Sequence, residues 1–295
     1  MFGAGVAMAL ALAAYSGTHA ASQSPLSPEE IRALLDRTIA NQHRNDEALA
    51  EYERMERRTV RKDESDSAAS EDKTFRVVPT GTGTIRLTLE ENGQPVSTEQ
   101  HRKQLSELEG ALVRALDPKE SRQKRAVDKF DKRTRERAEM IDAFREAFLF
   151  TWQGRETSGG RALVRLQLEP NPQFTPRSRN TEYLHHTRAV IWIDEAAAQL
   201  VRAEAEVATD IAIGGGILGK IYHGGRVVIE QTRVADGAWL PTRYEYNLAG
   251  RKFVFGFELH EVTLASAYRR IGPPKEALAA IRRELNNPSA APASH

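Results

Sequence analysis

The sequence predicts an α+β fold: a curved antiparallel β-sheet with a packed N-terminal helix and an inserted, charged helical hairpin. Three observations predict it. Short runs alternating apolar and polar residues, separated by tight turns, fill the chain after Arg161; a capped amphipathic helix opens at Ser27; and a stretch of 3/4-spaced apolar residues set in dense charge runs from Thr98 to Phe148. With 295 residues and 40% hydrophobic content, the chain can bury a sizeable core as one extended unit with a helical arm.

Residues 1–20, "MFGAGVAMALALAAYSGTHA", read as a signal peptide: a short apolar run ends in Thr18-His19-Ala20, the small-x-small pattern of a signal-peptidase site, although no Lys or Arg precedes it. The run is too short to span a bilayer, and no later segment approaches eighteen consecutive apolar residues. The expected mature chain is therefore a soluble periplasmic protein with no integral membrane segment. The absence of cysteine excludes disulfides, thiol chemistry and a lipid anchor on an N-terminal cysteine. A net charge of +1, from 42 basic and 41 acidic residues, gives no overall field that would draw in nucleic acid.

Residues 25–97 hold the N-terminal helix and first strands. In "SPEEIRALLDRTIANQ", Ser27 is the N-cap, Pro28 the first helical residue and Glu30 the capping-box partner, with Ile31, Leu34, Leu35 and Ile39 on one face. Tyr52 to Lys62 either continues this helix or starts the first strand. "DESDSAASEDK" reads as an exposed loop, and "TIRLTLEENGQPVS" as a strand ending in an Asn92-Gly93 turn.

Residues 98–149 form the helical hairpin insertion. Leu105, Leu108, Leu112 and Leu116 line one helix; Val127, Phe130, Thr134, Ala138, Ile141, Phe144 and Phe148 line the next; Asp117-Pro118-Lys119-Glu120 supplies a stop and a fresh N-cap. The basic residues of "KESRQKRAVDKFDKRTRER" are balanced by Asp128, Asp131, Glu136 and Glu139, without aromatic interleaving, so a solvated helix face is expected rather than a nucleic-acid platform.

Residues 150–271 read as an antiparallel meander. "ALVRLQLEP", "TRAVIWID", "GRVVIEQTRV", "WLPTRYEYNL" and "KFVFGFELHEV" are its strands; Asp236-Gly237 marks one hairpin, Gly250 leads into the last strand, and Phe253, Phe255, Phe257 and Leu259 fall on one face. Helix propensity favours a helix across "IWIDEAAAQLVRAEAEV", but the neighbouring strands make it strand, turn over Glu195 to Gln199, strand. Residues 272–295 are expected as a short helix and a disordered tail.

Motifs for chemistry are weak. "GGGILGK" at Gly214 to Lys220 meets the G-x-x-x-x-G-K spacing of a phosphate loop, yet Ile221 stands where a magnesium-holding hydroxyl belongs and no helix follows. His185 and His186 are adjacent and, in a strand, would face opposite ways; His101, His223 and His260 lack a partner at a chelating interval, so no metal site is expected. Asp194-Glu195 resembles an acid/base pair but also suits a turn, and no nucleophile motif accompanies it. No catalytic residue and no cofactor is assigned, and the expectation is a protein that is not an enzyme. The aromatic residues Trp192, Trp239, Tyr244, Tyr246, Phe253, Phe255 and Phe257 are the candidate lining of an apolar cavity, or else the packed core under a helix.

The cadence Trp192-Ile193-Asp194, a turn, a strand of alternating charge, then Asp236-Gly237-x-Trp239-x-Pro241 before the next strand resembles the LolA/LolB-like outer-membrane lipoprotein-sorting family. The resemblance covers Ser27 to Asn92 and Arg161 to Arg270; residues 98–149 look like an insertion that the carriers lack, and no motif places the family's acyl-gating basic residue. It implies an incomplete β-barrel closed by helices, with an apolar cavity for acyl chains, and hence a lipid or acylated lipoprotein as partner. The alternative is a periplasmic interaction module in which the 98–149 arm recruits an envelope protein through an exposed apolar stripe and the sheet is packed solid.

Overall fold

The computed structural model describes residues 24–62, 69–117, 119, 121–213, 215, 217–234 and 236–287. The expected signal peptide, residues 63–68 of the expected loop, Pro118, Glu120, two glycines of the "GGGILGK" string (Gly214 and Gly216), Ala235 and the tail beyond Asn287 lie outside the described residues. Helix α1 (Pro28–Leu49) leads into strands β1 (Tyr52–Arg61), β2 (Glu71–Pro79), β3 (Thr84–Glu91) and the short β4 (Gln94–Pro95). Helices α2 (Thr98–Ala115) and α3 (Ser121–Ala147) follow, then β5 (Phe148–Ser158), β6 (Arg161–Pro170), a four-residue helix α4 (Arg179–Glu182) and a 3-10 turn at Tyr183–His186. The rest is β7 (Thr187–Asp194), β8 (Gln199–Val207), β9 (Ile211–Ile213), β10 (Gly219–Ile221), β11 (Arg226–Arg233), β12 (Trp239–Lys252), β13 (Phe255–Arg270) and helix α5 (Pro274–Asn286).

All strands belong to one antiparallel sheet in the order β4-β3-β2-β1-β13-β12-β11-β8-β7-β6-β5. β4 and β5 are free edges, so the sheet is an open, incomplete barrel. β9 and β10 pair with each other and hang on β12 as a small flap. Tyr52 to Arg61 is a strand, joining the N-terminal strands to β13 with Thr59 opposite Val262. The ambiguous stretch is strand, turn, strand, with Ile191 opposite Ala203. Asp194 accepts a hydrogen bond from the Ala197 N–H at 2.9 Å, and Ala198 adopts a positive φ of 50°, which closes the turn against the helix preference of its three alanines.

The two faces of the sheet carry different cores. On one face, Ile31, Leu34 and Leu35 of α1 pack on Val164, Leu166, Leu168, Ile191 and Ile193, joined by Ala147 and Phe148 from the end of α3. Each of the valine, leucine, isoleucine and phenylalanine side chains among them contributes about 1.5–3 kcal/mol when fully buried. Ser27 caps α1 as expected: its Oγ accepts from the Glu30 N–H (3.2 Å) while its own N–H donates to Glu30 Oε2 (2.8 Å). On the other face, Val78 and Leu87 are covered by Leu105, Leu108 and Leu112 of α2 and by Ala277, Leu278 and Ile281 of α5. Leu105, Leu108 and Leu112 of the leucine stripe are thus buried against α5, which the sequence left unpaired with it, while Leu116, just past the helix, stays exposed. α3 instead lies along α1, tied by Arg145 to Asp36 (2.7 Å), His43 to Asp142 (2.8 Å) and Arg137 to Asp46 (Nη2 to Oδ1, 2.8 Å).

The β12–β13 turn falls at Phe253–Val254, three residues past Gly250, because Gly250 is used as a strand residue where β10 closes in. His185 and His186 occupy the 3-10 turn, not a strand; His186 Nδ1 meets Thr209 Oγ1 at 2.7 Å and the His185 ring packs on Phe174. Among the described residues no helix is long and apolar enough to cross a membrane.

Candidate ligand-binding cleft

Where α1 and α3 lie side by side over the sheet, they leave an apolar cleft of about 190 Å³. α1 contributes Leu35, Thr38, Ile39 and Gln42; α3 contributes Arg137, Ile141 and Phe144; the floor is Ile191, Leu200, Ile229, Gln231, Pro241 and Tyr244. The alternation of the strands sets this floor: Ile229 stands opposite Ala203 and Tyr244, and Gln231 opposite Pro241, so one face of four adjacent strands looks into the cleft.

Polar groups at its edge are already engaged. Thr38 Oγ1 donates to the Leu34 carbonyl (2.9 Å), and the Gln231 amide donates to Gln42 Oε1 (3.0 Å). The Asp46 hydrogen bond raises the Arg137 pKa against the opposing effect of burial, so the guanidinium stays charged at the mouth. Burial pushes the Tyr244 hydroxyl up to about 12, with Arg137 and Arg54 pulling the other way. Tyr244 is therefore a neutral phenol at any physiological pH. Two asparagines lock α1 in place beside the cleft: Asn41 donates to the Ala198 carbonyl at 2.7 Å and Asn45 to Gln199 Oε1 at 2.7 Å.

Of the seven aromatic residues expected to line a cavity, the structure brings only Tyr244 into the cleft wall. Tyr246, half-buried, is two residues further along the same face of β12. Trp192 points to the opposite face from Ile191 and Ile193, its ring flanked by the Arg165 and Arg202 guanidiniums at 5.4 and 5.7 Å. Trp239 is buried at the far end of β12, its ring under Arg161 and its backbone N–H donating to Asn45 Oδ1 (3.3 Å). Phe253, Phe255 and Phe257 stand at the tip of the β12–β13 hairpin in solvent. The physical reason is positional: alternation puts Trp192 on the outer face, and Phe253 sits in the turn with φ 54°, out of register with the strand. Most of the apolar side chains that do form the cleft are aliphatic, and the signal for them was the inward period of β7, β8 and β11 together with the apolar stripe of α3.

The other sequence candidates have structural partners. Asp194 closes its turn, and Glu195 forms a two-pronged pair with Arg155, both contacts at 2.7 Å. Among the described residues there is no group of three His, Asp or Glu side chains placed to hold a metal ion.

No protein-family model and no curated protein matches this sequence. Solved structures similar to the chain include a LolA superfamily protein from Nitrosomonas europaea, 11% identical, covering 84% of this chain and 96% of that one with a TM-score of 0.31. A putative outer membrane lipoprotein-sorting protein domain from Vibrio parahaemolyticus is 11% identical over 80% of this chain and 92% of its own, with a TM-score of 0.29. A DUF1329 family protein from Desulfovibrio piger is 11% identical over 82% and 93%, again with a TM-score of 0.29.

Proposed function

We propose that this chain is a non-catalytic carrier of the bacterial envelope, working in the periplasm, that holds an acyl chain of a lipid or an acylated lipoprotein in the cleft between α1, α3 and the sheet. The observation that carries this reading is the cleft itself: a mainly apolar floor and roof, with Thr38, Gln42, Gln231 and Arg137 at its edge already hydrogen-bonded within the protein. Such a lining offers no chemistry to a polar substrate. It removes methylene groups from water, each worth about 0.8 kcal/mol.

At about 190 Å³ the cleft is smaller than the roughly 300–1,000 Å³ of most small-molecule sites, so it fits one segment of a single chain as it stands. Admission of a longer chain falls to α3. The ion pairs that tie α3 to α1 are worth only about 0.2–1 kcal/mol each, so the cost of lifting α3 is set by the packing of Ile141, Phe144 and the Ala147–Phe148 end of the helix against the sheet. A second reading, recruitment of an envelope protein by the 98–149 segment, rests on the apolar residues it leaves exposed, Val113 and Leu116 at the end of α2 and Val127 and Met140 on α3.

A fluorescent fatty acid titrated into the purified protein tests the first reading. Ile229→Trp, which places a bulky ring in the cleft, is expected to abolish saturable binding while the melting curve stays cooperative. No binding by the wild type, or equal binding by the filled variant, would favour the second reading.

A further inference from the structure

The β12–β13 hairpin runs past the rest of the sheet. β1 pairs with β13 as far as His260 and β11 with β12 as far as Asn247; among the described residues, Leu248 to Leu259 pair with each other and with the flap strand β10. The flap is fastened to this projection. The Phe253 N–H donates to the Leu218 carbonyl at 3.1 Å, which sets the flap turn beside the hairpin turn. Two glycines make the approach possible: a Cβ on Gly250 would lie 2.3 Å from the Lys220 carbonyl oxygen, and one on Gly219 would lie 2.8 Å from that of Arg251.

The apolar side chains of the two turns face water. Val254 is 84% exposed, Ile217 78% and Phe255 75%, and Leu218, Phe253 and Phe257 are each more than a third exposed. Scattered exposed apolar residues are ordinary, but six on two adjoining turns form one patch. Its flanks are basic. Arg251 and Lys252 precede the tip, and Arg251 Nη1 donates to the Phe253 carbonyl at 2.6 Å, ordering the turn. Lys220 on the flap is matched by Asp210 at 2.6 Å, and Glu258 is the first carboxylate after the tip.

We propose that this double turn is a membrane-docking tip that inserts its apolar side chains into the interface of an anionic phospholipid bilayer. A projecting convex knob does not offer a groove to a peptide. It does match a surface that accepts apolar side chains to a shallow depth while long basic side chains spread upward to lipid phosphates. The proposal is independent of the cleft, since none of these residues lines it.

Flotation of the purified protein with vesicles of one part phosphatidylglycerol to three parts phosphatidylcholine tests it. The wild type is expected to float with these vesicles and at least about tenfold less with phosphatidylcholine alone. Val254→Asp/Phe255→Asp is expected to reduce flotation at least about tenfold with an unchanged melting temperature, since both side chains are in water. Val254→Ser/Phe255→Ser, milder at the turn, gives the same loss and keeps the test readable should the aspartates disturb the hairpin. A wild type that does not float, or variants that float as well as it does, would overturn the proposal. So would a concentration-dependent dimer that the aspartate variant abolishes while vesicles stay bare, which would assign the patch to a second copy of the chain.

Discussion

Arg76 lies almost wholly buried between two carboxylates, with Nε 2.9 Å from Glu53 Oε2 and Nη1 2.7 Å from Glu284 Oε2, and so ties β2 to β1 and to α5. Burial pushes its pKa down, but the two glutamates outweigh that and hold it above the ordinary arginine value. Removing one partner of a buried network leaves charge uncompensated. Arg76→Ala is expected to cost about 3–5 kcal/mol in urea melts, whereas Arg57→Ala, at the exposed Asp72 pair, should cost no more than about 1 kcal/mol. Neither Arg76 nor the α1 clamps Asn41 and Asn45 was legible in the sequence, because a polar residue continuing an apolar stripe reads as solvent-facing until its partner, here more than 150 residues away for each asparagine, is known.

The flap shows how two elements depend on one carboxylate. Asp210 accepts from Lys220 Nζ (2.6 Å), from the His223 N–H (2.7 Å) and meets His223 Nδ1 (2.9 Å). The Lys220 hydrogen bond first, then those of His223, hold its carboxyl well below the usual carboxylate range. Its folded pKa is depressed, so the tie contributes fully above the unfolded value near 3.9 and is lost only as pH falls through the lower folded value. Exchange protection of the Phe253 amide should accordingly persist from neutral pH down to about pH 4 and weaken only below it. Asp210→Asn should lower that protection at neutral pH. Gly250→Ala forces a Cβ against the Lys220 carbonyl and the Phe257 ring, so the flap should detach at a cost of about 1–3 kcal/mol, read as the same loss of Phe253 protection. Elements of this kind were partly legible: the Asn92-Gly93 turn, with φ of 51° and 76°, the α1 capping box and the strands β6, β7, β8, β11 and β12 follow from local chemistry. The β12–β13 turn and the partner of α2 do not, since a glycine can serve close strand approach as well as a turn, and an amphipathic stripe names no partner.

At the scale of the whole molecule, one sheet with a core on each face explains the division of labour: α2 and α5 seal one face with a dry core, while α1 and α3 leave a cleft over the other. The period-two patterns predicted the antiparallel sheet, but not which aromatic residues would face inward, because which set of alternate residues meets the helices, and the late turn at Phe253, are fixed by tertiary packing and pairing. The carrier account is tested most directly by native mass spectrometry of the protein purified from the envelope fraction without detergent. It predicts a population carrying one lipid-sized adduct, released on collisional activation and absent from Ile229→Trp. A bare polypeptide in both, with no uptake of added fatty acid by the wild type, would contradict it.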